Sequence, residues 1–186
     1  MAYHQPWAQG ERGPFWRRGA PKGGNGLPGS MYESDYRGEL LKMELRVIDS
    51  AGNNVYGGEI DVWHADENGH YDDTGYKYRR LWQVGGTHAE IDVTTALPGI
   101  VTYNGRRLYR HVHLEVLPPQ PYRGRTHNIA GWLGEILLQL PPWNDTPPQQ
   151  PDPRTIAQLS GPYTQGLGTR SWYLLKKTIV LEYAGP

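Results

Sequence analysis

The chain of 186 residues contains no cysteine. Disulfides, zinc–thiolate sites, iron–sulfur clusters and cysteine nucleophiles are therefore excluded. An excess of charge is also missing, because 19 Lys and Arg residues balance 19 Asp and Glu. Without a basic stripe or an acidic tail, nothing points to nucleic acid or to a charged partner. No apolar stretch approaches the ~18 residues of a membrane span. The opening Met1-Ala-Tyr-His-Gln-Pro-Trp7 lacks the basic stretch and apolar run of a secretory leader. The expectation is a soluble, cytoplasmic protein that contacts neither nucleic acid nor membrane. Phenylalanine occurs once, against 13 Tyr and 7 Trp, and such polar aromatics suit half-buried sheet surfaces.

Glycine (24) and proline (16) are abundant. They punctuate helices too often for a helical fold and suit short strands joined by turns and long loops. Residues 1–30 are rich in Gly, Pro and charge and read as an extended arm. In Leu40–Ile48, Leu41, Met43, Leu45 and Val47 alternate with polar neighbours, as in a strand with one buried face. Asp49-Ser-Ala-Gly-Asn-Asn54 is turn chemistry. Gly58–His64, Ala89–Thr95 and Arg110–Leu117 read as further strands, and Trp132–Leu140 and Tyr173–Tyr183 as later apolar candidates. Thr155–Leu159 reads as a short helix, and Pro141–Pro153 as a proline-rich lid or subunit contact. The prediction is a single all-β domain over residues 1–186: an antiparallel β-sandwich with long loops and an extended N-terminal arm.

The segment running from Leu97-Pro-Gly through Tyr103-Asn-Gly-Arg106 and Tyr109 to His111-Val-His113 carries most of the chemistry. Alternate residues of a strand project from one face, so His111 and His113 could grip one metal ion or simply be satisfied core residues. Tyr71 follows a turn at Asp66-Glu-Asn-Gly69. Imidazoles and phenolates without thiolate favour a hard, oxidised metal such as Fe(III), which points to oxygen chemistry on an aromatic diol. His64 shares a face with Ile60 and Val62, so a core or supporting role fits it better than ligation. His70, His88 and His127 sit in loop-like contexts. Asp61, Asp66, Asp72 and Asp73 are read as solvated turn and strand-edge acids. Tyr78-Arg79-Arg80 and Arg123–Arg125 face either an acidic substrate group or water.

In ordered combination these motifs resemble the intradiol ring-cleavage dioxygenases, the non-haem Fe(III) family that includes catechol and protocatechuate dioxygenases. Gly13-Pro-Phe-Trp-Arg-Arg-Gly-Ala-Pro21 is similar to that family's opening motif. Leu45 to Gly52 and Val55 to Asp66 resemble its first hairpin, and Asn68-Gly-His-Tyr71 its Gly-x-Tyr. Leu97-Pro-Gly, His111-Val-His113 and Glu135-Ile-Leu-Leu-Gln139 complete the likeness. The resemblance implies iron held by Tyr71, a second tyrosine, His111 and His113. For the second tyrosine, Tyr103 is preferred and Tyr109 is the alternative, since Pro-Gly is followed by Ile100-Val-Thr-Tyr103 rather than by the family's closer tyrosine. Arg106 would border the substrate pocket, with Arg107 and Arg110 as competitors, and Gln139 would orient the substrate.

What the resemblance implies is intradiol cleavage of a catechol-type aromatic diol with O2 to a muconate-type diacid, with Fe(III) the one cofactor. Apart from the resemblance, the aromatic-rich arm (Tyr3, Trp7, Phe15, Trp16) must pack somewhere, and a homodimer is one assembly that would cover it. Two alternatives stand beside the cleavage reading. One keeps the ferric site but oxidises a larger phenolic compound with a different outcome, and the other is a metal-free sandwich serving as a structural subunit or binding module.

Overall fold

The computed structural model describes residues 10, 12–25, 29–33, 35–85, 89–119, 130–142, 153–164 and 170–182. The described residues form thirteen strands: β1 (Lys22–Asn25), β2 (Gly29–Ser30), β3 (Leu40–Asp49), β4 (Glu59–Trp63), β5 (Arg79–Gln83), β6 (Glu90–Ala96), β7 (Val101–Tyr103), β8 (Arg106–Leu108), β9 (His111–Leu117), β10 (Trp132–Gln139), β11 (Ile156–Gln158), β12 (Ser160–Thr164) and β13 (Ser171–Leu181). Among the described residues there is no α-helix, and no helix is long and apolar enough to cross a membrane. The first sheet has strand order β1-β5-β4-β9-β10-β11, the second β12-β13-β3-β6-β2, and β7-β8 form a separate ribbon.

The period-2 patterns account for the core. Leu41, Met43, Leu45 and Val47 of β3 meet Ile60 and Val62 of β4, Val112, Leu114 and Val116 of β9, and Ile136 and Leu138 of β10 in one buried cluster. Each such side chain contributes ~1.5–3 kcal/mol by leaving water. The opposite face of the first sheet carries Asp61 and Trp63 of β4, His111, His113 and Glu115 of β9, and Glu135 of β10. That outer face bears the chemistry.

The β-sandwich is the predicted one, and its pairing is mixed. β3 pairs antiparallel with β6 but parallel with β13 over ten residues, from Trp172↔Leu40 to Leu181↔Asp49. The arm contributes β1 to one sheet, parallel to β5, and β2 to the other, parallel to β6. The helix read over Thr155–Leu159 is instead a 3-10 turn, Pro153–Thr155, running into β11. Ile156 and Ala157 pair with Leu137 and Leu138 at the sheet edge, where β-branched residues fit better than in a helix. Residues 1–9 of the arm, His88, the stretch 120–129 with Arg123–Arg125 and His127, and residues 143–152 of the proline-rich loop lie outside the described residues.

Candidate metal centre

β9 lies between β4 and β10, so Trp63, His113 and Glu135 stand directly opposite one another, and His111 faces Leu137. The Trp63 ring stacks on His113 with centroids 5.0 Å apart, and the two imidazoles meet edge to face at 4.7 Å. Tyr71 reaches them from a loop closed by two aspartates. Asp66 Oδ1 accepts hydrogen bonds from the backbone N–H groups of Asn68 and His70, and Asp72 accepts those of Thr74, Gly75 and Lys77. These bonds pull the Asp72 carboxyl down to about 2. Gly69 turns the chain at φ +83°, where a β-carbon would lie 2.1 Å from the Ile100 carbonyl oxygen. The loop holds the Tyr71 hydroxyl 2.9 Å from His111 Nε2 and 3.0 Å from His113 Nε2. Phe15 lies flat on the Tyr71 ring, with centroids 4.3 Å apart and planes 9° off parallel.

The proton positions follow from the acceptors. His111 Nδ1 lies 2.5 Å from the Tyr109 carbonyl oxygen. A carbonyl only accepts, so Nδ1 carries the proton and Nε2 presents its lone pair to Tyr71, the tautomer that metal ligation requires. Burial pushes the Tyr71 phenol above its ordinary range, and the charge of Glu135 adds to the effect. Burial, with His111 and His64 nearby, holds His113 well below the ordinary imidazole range. Both shifts favour the uncharged forms, a neutral Tyr71 phenol beside a neutral His113 imidazole. Donor atoms about 2.9–3.0 Å apart match adjacent ligands each ~2.1 Å from one ion at right angles. The donors fit a hard trivalent cation, which alone would favour a phenolate so deeply buried.

Of the residues singled out from the sequence, Tyr71, His111 and His113 converge. Tyr103 ends β7 at the tip of the ribbon, is 38% exposed, and meets Phe15 edge-on at 5.5 Å. Tyr109 is half-buried, and its carbonyl orients His111. Arg106 and Arg107 are exposed on β8, whereas the Arg110 guanidinium donates to the Pro98 carbonyl at 2.8 Å. Gln139 is buried at the end of β10, two residues beyond the partner of His111 and on the same face. His64 is a satisfied core histidine, hydrogen-bonded to the Ala65 carbonyl at 2.6 Å and Thr95 Oγ1 at 2.7 Å.

Sequence reasoning missed Glu135, whose carboxylate lies 4.0 Å from His113 Nδ1 and which forms with His111 and His113 a trio whose ligand atoms all lie within 4.8 Å of one another. It also missed what covers this face. Gly10 N–H donates to the Leu133 carbonyl at 2.6 Å, Arg12 pairs with Glu115 at 2.5 Å, and a β-carbon on Gly13 would lie 3.5 Å from His113 Cε1. Trp16 sits between the guanidinium groups of Arg12 and Arg79. Asp61, read from the sequence as a solvated strand-edge acid, and Arg79, read as facing an acidic substrate group or water, form a buried ion pair beneath it. Period-2 placement puts Glu135 on the face of Gln139, but only the register with β9 brings it to His113.

No protein-family model matches the chain, and no curated protein does. Solved structures do. The dioxygenase domain of a dioxygenase–carbohydrate-binding protein fusion from Streptomyces sp. SirexAA-E is 22% identical, with a TM-score of 0.62 over 94% of this chain and 99% of that one. Hydroxyquinol 1,2-dioxygenase from Pseudomonas putida DLL-E4 is 16% identical, with a TM-score of 0.70 over 97% of this chain and 68% of that one. For 3-chlorocatechol 1,2-dioxygenase from Rhodococcus opacus 1CP, identity is 14% and the TM-score 0.76, over 97% of this chain and 74% of that one. At 14–22% identity these likenesses establish a shared fold. The chain has the fold of the intradiol dioxygenases, as its motifs predict.

Proposed function

We propose that the chain is a non-haem Fe(III) dioxygenase that cleaves a catechol-type aromatic diol between its hydroxyl-bearing carbons. The observation that carries this reading is the Tyr71 hydroxyl held 2.9 and 3.0 Å from the Nε2 atoms of His111 and His113, on a fold shared with catechol and hydroxyquinol dioxygenases. Tyr71, His111 and His113 would hold the iron, which when bound supplies a chelation point for the diol oxygens and opens the ring to O2. Tyr71 would hold the ion as its phenolate, with the phenolic proton released to solvent. His111 enters with its lone pair already aimed, because Tyr109 fixes its tautomer. Phe15 and the arm keep water from the Tyr71 side, which strengthens the electrostatics of the site. Gln139, on the same sheet face, is the proposed orienting group, and Arg106 the proposed cation for charge developing on the substrate. Both atoms of O2 enter the diacid product, so the balance calls for no external reductant.

The test is the visible spectrum of the ferric-loaded protein, before and after catechol is added without oxygen, followed by product analysis on admitting air. The expected result is a tyrosinate-to-iron band that shifts with the diol, and then a muconate-type diacid. Tyr71→Phe should lose the band while keeping the folded circular dichroism spectrum. A protein that stays colourless after ferric loading would remove the reading. A band that shifts with no diacid formed would leave the ferric site and favour the alternative oxidation of a larger phenolic.

A further inference from the structure

Resting on the ferric reading above, we propose that Glu135, and not Tyr103, supplies the second anionic ligand of the centre. Strand register places Glu135 on β10 directly opposite His113, on the same sheet face as both imidazoles. Its carboxylate and the two imidazoles already lie with all ligand atoms within 4.8 Å of one another. Two ligands of one ion, each bonded at ~2.1 Å, stand at most ~4.2 Å apart. The carboxylate lies 4.0 Å from His113 Nδ1, so bringing it to an ion shared with the Nε2 atoms asks for a rotation about its side-chain bonds. The Glu135 side chain is 37% exposed, so one side of it is free to turn.

Tyr103 is placed differently. The ribbon pairs Tyr103 with Arg106 across the Asn104-Gly105 turn, where φ values of 48° and 72° fit a tight two-residue hairpin. That pairing fixes Tyr103 at the tip. Between it and Tyr71 stands Phe15, edge-on to one ring and face-on to the other. For Tyr103 to reach the imidazoles, Phe15 would have to leave its stack. Charge leads to the same assignment. Two neutral imidazoles and one phenolate leave a ferric ion with an excess of two positive charges. A carboxylate, itself a hard oxygen ligand suited to a hard cation, reduces that excess to one, as a second phenolate would.

The experiment compares ferric affinity, by chelator competition, and the visible band in the full chain and in Glu135→Gln, Glu135→Asp, Tyr103→Phe and Tyr71→Phe. Circular dichroism and melting confirm that each is folded. Glu135→Gln should weaken ferric binding at least about tenfold. It should also move the band to longer wavelength, because losing an anionic ligand makes the iron a better acceptor for the Tyr71 phenolate. Glu135→Asp, which keeps the charge, should recover part of the affinity, whereas a merely structural role would follow side-chain size. Tyr103→Phe should leave affinity and band unchanged. The proposal is overturned if Glu135→Gln matches the parent, or if Tyr103→Phe shifts the band or weakens binding. A parent that takes no colour sinks the ferric reading and this proposal together. A coloured parent with a silent Glu135→Gln sinks this proposal alone.

Discussion

The Asp61–Arg79 pair offers the sharpest test of how this sheet face is held. Both residues are nearly closed to solvent, at 6% and 4% exposure. Among the described residues, Asp61 Oδ1 and Arg79 Nε and Nη1 find no hydrogen-bond partner. The guanidinium lies between the Trp16 and Trp63 rings, 5.1 and 5.2 Å from their centroids. Burial pushes the Asp61 carboxyl above the ordinary carboxylate range, outweighing the pull of Arg79. The attraction within the charged pair therefore does not offset what desolvation costs the carboxylate. Removing one partner is a different matter. Asp61→Leu leaves an uncompensated buried guanidinium, a loss of about 3–5 kcal/mol. For a chain of this size that lowers the melting temperature by ~6–20 °C, at ~2–4 °C per kcal/mol. Adding Arg79→Met should recover nearly all of it, giving a coupling of about 3 kcal/mol or more in a double-mutant cycle. The sign with pH is also fixed: a carboxyl that titrates higher when folded makes stability fall as pH rises through the window between its unfolded and folded values. Urea unfolding followed by tryptophan fluorescence measures each term. An Asp61→Leu protein within about 1 kcal/mol of the parent, or a double variant that loses the sum of the singles, would refute the reasoning.

Three further outcomes follow from the same geometry. Burial holds His64 at about 4 in the fold, against an ordinary 6.5. The unfolded chain therefore binds the extra proton between those values, and stability falls as pH drops through that window, by about 3 kcal/mol in all. Denaturant unfolding at pH 7 and 4.5 should show a larger loss in the parent than in His64→Gln, and equal losses would contradict the assignment. Phe15→Ala removes the stack on Tyr71, worth ~0.5–1.5 kcal/mol, and should weaken ferric retention about two- to tenfold in chelator competition; unchanged retention would argue against the arm as part of the site. Gly69→Ala places a β-carbon on the Ile100 carbonyl at a positive φ and should cost at least about 2 kcal/mol, so a melting temperature within a degree of the parent would show that the Tyr71 loop tolerates displacement.

Local pattern was the legible part of the sequence. Alternation located β3, β4, β6, β9 and β10 to within a residue or two, because a strand with one face on a core must repeat every second residue. The same rule put His111 and His113 on one face, and the turn chemistry before Tyr71 put a phenol within reach. Pairing was not legible. β3 and β13 are far apart in the chain yet run parallel over ten residues, and nothing in either segment names the other. β5 reads Arg-Arg-Leu-Trp-Gln, where the sequence leaves Arg79 facing an acidic substrate group or water, and only the fold supplies Asp61 as its partner. Glu135 was hidden for the same reason, since its neighbour His113 is supplied by register alone.

The outer face of the first sheet poses a physical problem, and its solution explains the arm. Among the described residues no second sheet packs on the face bearing Asp61, His113, Glu115 and Glu135, yet the first three of these side chains are buried. Something polar enough to pair with them had to cover them. The arm does so with residues matched one by one: Arg12 to Glu115, Trp16 over Arg79, and Phe15 on Tyr71. A row across four strands then links Arg79, Trp63, His113 and Glu135, each opposite the next. Arg79 is fixed by Asp61, Trp63 is held between Arg79 and His113, and His113 is held by Trp63 and Tyr71. The orientation of His113 thus depends on an ion pair that joins the next two strands, β4 and β5. This is why charges that return little stability are still consequential here: their hold on Trp63 keeps an imbalanced imidazole, with Nδ1 buried and unpaired, turned toward the phenol.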